Sequence, residues 1–244
     1  MLIVEDNTEL RDYLKNELCS DYMIIEAVNG VQGLDLATRR IPDMILTDVV
    51  MPEMDGFEFC KHIREDLKTS HIPLLMLTAK AMTDDWVKGI DSGADVYLSK
   101  PFEMKVLKAQ LKQIIHSRQV LFNKYSNDSN NVQIPGNSTH LDKKFITKVL
   151  GYIAENMSDE NLNVEHLADE LNLSRSQLYR KIKALTGYSA NEFLRKIRLE
   201  KAKHMLVNGN ESISEVCFKV GFSSPSYFTK CFKAHFGVLP TEIK

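Results

Sequence analysis

Residues 45–56 read ILTDVVMPEMDG. Two apolar residues lead into Thr47 and Asp48, and two valines and Met51-Pro52 follow, with no lysine or arginine in the stretch. An ionised carboxylate among apolar neighbours is costly unless something compensates it. The partner of Asp48 must therefore come from elsewhere in the chain. An apolar lead-in with an abrupt acidic end reads as a buried strand whose last residue emerges at the edge of a sheet.

Four further apolar runs, MLIV (1–4), YMIIEAV (22–28), IPLLMLT (72–78) and DVYLS (95–99), read as strands beside MILTD (44–48). Segments with helical periodicity follow them, among them TELRDYLKNELC (8–19) and FEMKVLKAQLKQIIHS (102–117). Repeated strand–helix alternation predicts a five-stranded parallel sheet with helices on both faces. Ligands of such sheets bind beyond the carboxyl ends of the strands, where the strand order reverses. At those ends stand Glu5-Asp6, Asp48, Thr78 and Lys100-Pro101. Three carboxylates in one place repel unless a cation joins them. Mg²⁺ is the natural choice, because it takes one or two carboxylates and completes its shell with water and phosphate oxygens. Asp48 would then be compensated by a metal and by Lys100.

The length, 244 residues, suits two compact domains. SNDSNNVQIPGNSTH (126–140), rich in Ser and Asn, reads as a flexible linker between them. Net charge is −2 overall, yet residues 1–140 carry −6 and residues 141–244 carry +4, rising to +8 within 171–240. Such asymmetry suggests different partners for the two halves. The four cysteines form no CxxC pair and the seven histidines show no metal-ligand spacing, so reduced thiols are expected and a zinc site is not. With no long apolar run and no signal-like N-terminus, the expected location is cytoplasmic.

Beyond the linker the pattern is purely helical, with marked ends. Ser174–Gln177, Ser189–Glu192 and Ser212–Glu215 match capping boxes, and Ser224-Pro225 sets a capping serine before a first-turn proline. Asn172, Gly187 and Gly221 stand where left-handed helix stops are wanted. NVEHLADELNLSRSQLYRKIKALTG (163–187) and SISEVCFKVGFSSPSYFTKCFKAHFG (212–237) each read helix, turn, helix, and a helix of about 190–207 joins them. That helix would be roughly 27 Å long at 1.5 Å per residue. Recognition helices entering successive major grooves on one face of DNA sit about 34 Å apart. In the first pair the apolar set is Leu167, Leu171, Leu173, Leu178 and Ile182. Outside it lie Arg175, Ser176, Gln177, Tyr179, Arg180 and Lys181. The second pair leaves Ser226, Thr229, Lys230 and Lys233 outside its core, and these side-chain types suit base edges and phosphates.

VEDN, ILTDVVMPEMDGFEF, MLTAK and YLSKPF, in this order, resemble the receiver domain of two-component response regulators over about residues 1–120. The resemblance implies that Asp48 accepts a phosphoryl group from a histidine kinase. It also implies that Glu5, Asp6, Asp48 and the backbone carbonyl of Val50 hold Mg²⁺, and that Thr78 and Lys100 bind the phosphoryl oxygens. Thr78 and Tyr97 would act as the switch, and Lys100-Pro101 is a candidate cis bond. A haloacid dehalogenase-type phosphatase would need a second aspartate where Val50 stands, which argues against it. In receivers the positions of Val50 and Lys80 orient the hydrolytic water, so an apolar Val50 implies slow loss of the phosphoryl group.

Residues 143–244 resemble the AraC-type DNA-binding domain, a double helix-turn-helix, on VCFKVGFSSPSYFTKCFKAHFGVLPTEIK, LADELNLSRSQLYRKIKALTG and RLEKAKHML. By position this implies DNA contacts from Arg175, Ser176, Tyr179 and Arg180, with Gln177 beside them, and from Pro225, Ser226, Thr229 and Lys230. Helix end and linker would occupy 121–142. The expected whole is an α/β flavodoxin-like receiver joined to an all-α reader of double-stranded DNA, a regulator rather than an enzyme. Phosphorylation would drive homodimerisation and DNA binding, with RNA polymerase as a further partner. The alternative is a receiver that titrates phosphoryl groups while DNA binding ignores its state. Only four residues precede Glu5, which also fits the tail of a hybrid sensor kinase. The kinase would then lie upstream in the same chain, and the intact protein would be membrane-anchored.

Overall fold

The computed structural model describes residues 1–79, 93–126 and 139–243. Most of the stretch read as a linker, and Lys80, lie outside the described residues. The chain divides into two compact units, one built on Met1–Leu121 and the other on Lys143–Lys244.

In the first unit, β1 (Leu2–Val4), β2 (Ile25–Ala27), β3 (Ile45–Asp48), β4 (Leu74–Ala79) and β5 (Val96–Lys100) form one sheet in the order β2-β1-β3-β4-β5. Every pairing is parallel. Between the strands run α1 (Thr8–Leu18), α2 (Gly30–Arg40) and α3 (Gly56–Glu65), and α4 (Met104–Ser126) follows β5. This is the flavodoxin-like doubly wound fold, with its reversal of order between β1 and β3.

Alternation along the strands divides the core. Leu2, Val4, Ile45, Leu74 and Met76 pack with Ala37 of α2 and with Phe59, Cys60 and Ile63 of α3. Their neighbours Ile3, Leu46, Leu75 and Leu77 pack with Leu14 and Leu18 of α1 and with Leu107 and Leu111 of α4. A one-residue slip would exchange the two sets. The central strands β1, β3 and β4 are buried on both faces along most of their length, and their apolar residues pack on helices at both faces.

The second unit is helical throughout its described residues: α5 (His140–Glu155), α6 (Val164–Glu170), α7 (Arg175–Thr186), α8 (Ala190–Asn208), α9 (Ile213–Lys219), α10 (Pro225–Phe236) and α11 (Pro240–Ile243). Ser174, Ser189 and Ser212 close reciprocal capping boxes with Gln177, Glu192 and Glu215, and Ser224 caps α10 with Pro225 in its first turn. The α6–α7 and α9–α10 turns are built alike. Leu173 N–H donates to Ala168 O (2.9 Å), and Phe222 N–H donates to Cys217 O (3.1 Å). Each bond follows a left-handed residue, Asn172 (φ 52°) and Gly221 (φ 76°).

Only the second turn needs glycine for space as well as for φ. A Cβ on Gly221 would lie 2.5 Å from Met157 O and 2.7 Å from Arg198 Nη2. Arg198, on α8, donates from Nη2 to Asp159 O at 2.6 Å, and burial lowers its pKa. The loop between α5 and α6 therefore meets the turn of the second helix pair backbone to backbone, with one guanidinium bracing the contact.

Candidate functional site

The first site lies at the carboxyl ends of β1 and β3. Asp48 closes β3 and is 8% exposed, while Glu5, directly after β1, is 1% exposed. Asp6 beside it faces solvent. Carboxylate oxygens of Glu5, Asp6 and Asp48 lie within 4.8 Å of one another. Lys100, the last residue of β5, stands 3.0 Å from Asp48 Oδ1 and 3.0 Å from Glu5 Oε2. Asp48 Oδ1 also accepts the Val49 N–H at 2.8 Å. One oxygen of Asp48 is thus held by two donors, and Oδ2 takes neither. Burial pushes the Glu5 carboxyl above its usual value, and the Lys100 hydrogen bond pulls it back.

Two surrounding contacts hold the loops. Arg11 donates from Nη1 to the carbonyls of Glu5 (2.7 Å) and Asp6 (3.4 Å), which fixes the acidic turn. Asn29 caps α2 and donates from Nδ2 to Glu53 Oε1 at 2.7 Å, joining the β2–α2 turn to the β3–α3 loop. Glu53 itself is left-handed, φ 67°. Gly56 allows the close return of that loop, because a Cβ there would lie 2.2 Å from Asp48 O. Neither Arg11 nor Asn29 carries a motif that marks it in the sequence.

Of the other residues read from the sequence, Thr78 is partly exposed near the end of β4, and its hydroxyl donates to Ala79 O at 3.4 Å. Tyr97 is half-buried against the core cluster that contains Val49 and Met51. Val50 is 57% exposed. The Lys100-Pro101 bond is cis. The donor set suits a hard divalent cation: all carboxylate oxygens, one buried carboxyl strained towards protonation, and an exposed carboxylate at the mouth.

The second candidate site is the outer face of α7 and α10. Arg175, Ser176 and Arg180 are exposed on α7. Arg175 pairs with Glu165 at 2.7 Å and lies over the Tyr179 ring at 5.6 Å. The Tyr179 hydroxyl accepts from Asn191 Nδ2 at 2.8 Å. Gln177 spends its carbonyl oxygen on the Ser174 N–H (2.8 Å), which leaves only its amide NH₂ for another partner. Pro225, Ser226 and Lys230 are exposed on α10, and Thr229 is half-buried. Lys181 departs from the expected outward set. It is 1% exposed, with its ammonium 5.1 Å over the ring of Phe145. Its position between Leu178 and Ile182 puts it on the buried face of α7.

Residues 1–112 match the family described as response regulator receiver domain, and residues 167–244 match a helix-turn-helix domain family. The chain joins a response regulator receiver domain to an AraC-type helix-turn-helix domain. Over 242 residues it is 40% identical to histidine kinase P4 of Formosa agariphila, covering 99% of this chain and 18% of that protein. The receiver domain is 38% identical over 116 residues to the DNA-binding dual master transcriptional regulator RpaA of Synechocystis, which covers 47% of this chain and 48% of RpaA. The chain thus spans less than half the length of either curated relative. Among solved structures, the C-terminal domain of AraT, a response regulator from Geobacillus stearothermophilus, is 34% identical. That match covers 41% of this chain and 82% of the other, with a TM-score of 0.39. The receiver domain of a sensor histidine kinase from Pseudomonas aeruginosa, with a magnesium ion in its cleft, is 31% identical, covering 46% and 93%, with a TM-score of 0.44. Among the described residues no helix is long and apolar enough to cross a membrane.

Proposed function

We propose that this chain is a phosphorylation-dependent transcription regulator of a two-component system. Asp48 takes a phosphoryl group from a histidine kinase, and the double helix-turn-helix domain binds specific double-stranded DNA in response. The observation that carries the reading is the pairing of Asp48 with Lys100 at 3.0 Å beside Glu5 and Asp6, in one chain with two like-built helix-turn-helix units.

In this reading Asp48 Oδ2 attacks the phosphorus of a phosphohistidine. The new P–O bond forms as the P–N bond breaks, and the imidazole leaves on the kinase. Val49 N–H and Lys100 engage Oδ1 and so leave Oδ2 for the phosphorus. Catalysis of this kind is positioning and charge neutralisation. Glu5, Asp6, Asp48 and the Val50 carbonyl would hold Mg²⁺, which supplies charge compensation for the phosphoryl oxygens. Lys100 and Thr78 bind those oxygens from the protein side, Thr78 after turning its hydroxyl away from Ala79. The reorientation of Thr78 and Tyr97 then changes the face near β5 and α4, which favours a homodimer and raises DNA avidity. Bound to DNA in the cytoplasm, the dimer would act on RNA polymerase.

The long match to histidine kinase P4 favours a second layer of this reading, in which this stretch is the output part of a hybrid sensor and receives its phosphoryl group from the same polypeptide. The test is recovery of fragmented genomic DNA by the purified chain, with and without acetyl phosphate and Mg²⁺, with Asp48→Asn as control. Stronger recovery of a few fragments, lost in Asp48→Asn, is expected. Equal recovery in all conditions would instead make the receiver domain a phosphoryl sink without control over DNA.

A further inference from the structure

A cavity of about 360 Å³ opens between α8 and α10, lined in part by Tyr188, Arg195, Lys196, Tyr227, Lys230 and His235. None of these except Lys230 belongs to the DNA-contacting set read from the sequence. Three permanent cations face the cavity. Its one lining carboxylate, Glu192, is drawn to the start of α8, where the Ser189 hydroxyl (2.6 Å) and backbone N–H (2.9 Å) donate to it. His235 is engaged with Glu200 at 3.3 Å. The lining is therefore positive, with tyrosine rings at its sides. Lys196 donates to the Tyr188 hydroxyl at 3.2 Å and lies 4.7 Å from that ring. Arg195 is exposed and close enough to Glu192 and Tyr227 for its charge to act on both.

Position gives this surface its meaning. Asn191 and Arg195 are one helical turn apart on α8, so they share a face. Asn191 holds the Tyr179 hydroxyl of α7 at 2.8 Å, and the Arg195 end of that face opens into the cavity, whose far wall carries Lys230 of α10. A polar strip thus runs from one reading helix to the other along α8. DNA that enters both helices through successive major grooves must carry its intervening phosphates past this strip, because the backbone is continuous. Phosphates dominate affinity, and a cationic concavity is where they lose least on approach.

We propose that the cavity between α8 and α10 is a phosphate-backbone site in which Arg195 and Lys196 hold DNA between the two reading helices. It rests on the DNA-binding reading above and adds two residues that make no base contact. Their task is to fix the register of the duplex while α7 and α10 read it.

The salt dependence of binding tests this. The full chain is titrated with a random-sequence 40-base-pair duplex over a series of KCl concentrations. Arg195→Gln and Lys196→Gln should each reduce the slope of log K against log [KCl] by about 0.9, the value for one phosphate contact. Lys201→Gln, an exposed lysine on the same helix outside the cavity lining, should leave the slope unchanged, and circular dichroism checks that all variants are folded. A parallel calorimetric titration uses inorganic phosphate alone at matched ionic strength. Unchanged slopes in both cavity variants overturn the proposal. If free phosphate nevertheless binds, the cavity serves a small anion instead. Failure of the wild-type chain to bind any duplex would strike the DNA-binding reading itself, which separates the two failures.

Discussion

Lys100 Nζ lies 3.0 Å from Asp48 Oδ1, although β4 separates their strands. The distance shows that the carboxylate without a local cation finds one two strands away. Removing the ammonium, as in Lys100→Met, leaves two buried carboxylates facing each other. Phosphorylation by acetyl phosphate should slow by about 10²-fold, the usual loss for one charge-stabilising donor. Asp48→Asn should take up no phosphoryl group at all. Mass spectrometry of the intact chain reads both outcomes.

Val50 bears on how long the phosphorylated state lasts. The side chain is exposed and apolar beside Asp48, so it offers no hydrogen bond to an attacking water. The phosphoryl group should persist for minutes or longer, and Val50→Asn should shorten its life. A half-life of a few seconds in the wild-type chain would refute this.

Gly56 sits too close to the chain for any side chain. With its Cβ 2.2 Å from Asp48 O, Gly56→Ala must displace the backbone of Asp48. The expected cost is about 2–3 kcal/mol, at the upper end for one substitution. Urea denaturation measures it, and phosphorylation should fall alongside.

The capping box of α8 predicts a pH effect. Hydrogen bonds from the Ser189 side chain and backbone hold the Glu192 carboxyl below its usual value. The stability contributed by a lowered carboxyl is complete above its ordinary pKa and is lost as pH falls through the lowered one. The gap in urea midpoint between wild type and Glu192→Gln should therefore be widest near neutrality and close in acid. Ser189→Ala should cost about 1 kcal/mol at pH 7.

Much of this was legible because the signals are local. Strand ends that turn from Ile-Leu to Asp, or from Leu-Ser to Lys, mark the carboxyl edge of a sheet without any knowledge of its order. Serine–glutamate spacing marks helix starts in the same way. Side chains that act across the fold were not legible. Arg11 holds the acidic turn through backbone carbonyls, Asn29 reaches Glu53 across 24 residues, and neither bond leaves a pattern in sequence. Lys181 shows the opposite failure. Residue type placed it outside, yet its helical phase places it inside, where an aromatic face at Phe145 receives the ammonium. Arg195 and Lys196 lie on the connecting helix, where a charged side chain carries no local sign of a partner.

The brace at Arg198 and the tight approach of Gly221 to Met157 give the helix pairs the character of a caliper locked at one opening. One base pair added between two half-sites would carry the outer one about 3.4 Å farther along the axis and about a tenth of a turn around it. With this contact kept, the two helix pairs should not follow. If the helix-turn-helix domain reads DNA as proposed, its genomic targets are expected to share a single gap between two short words, and a search for them can hold that gap constant while the letters vary.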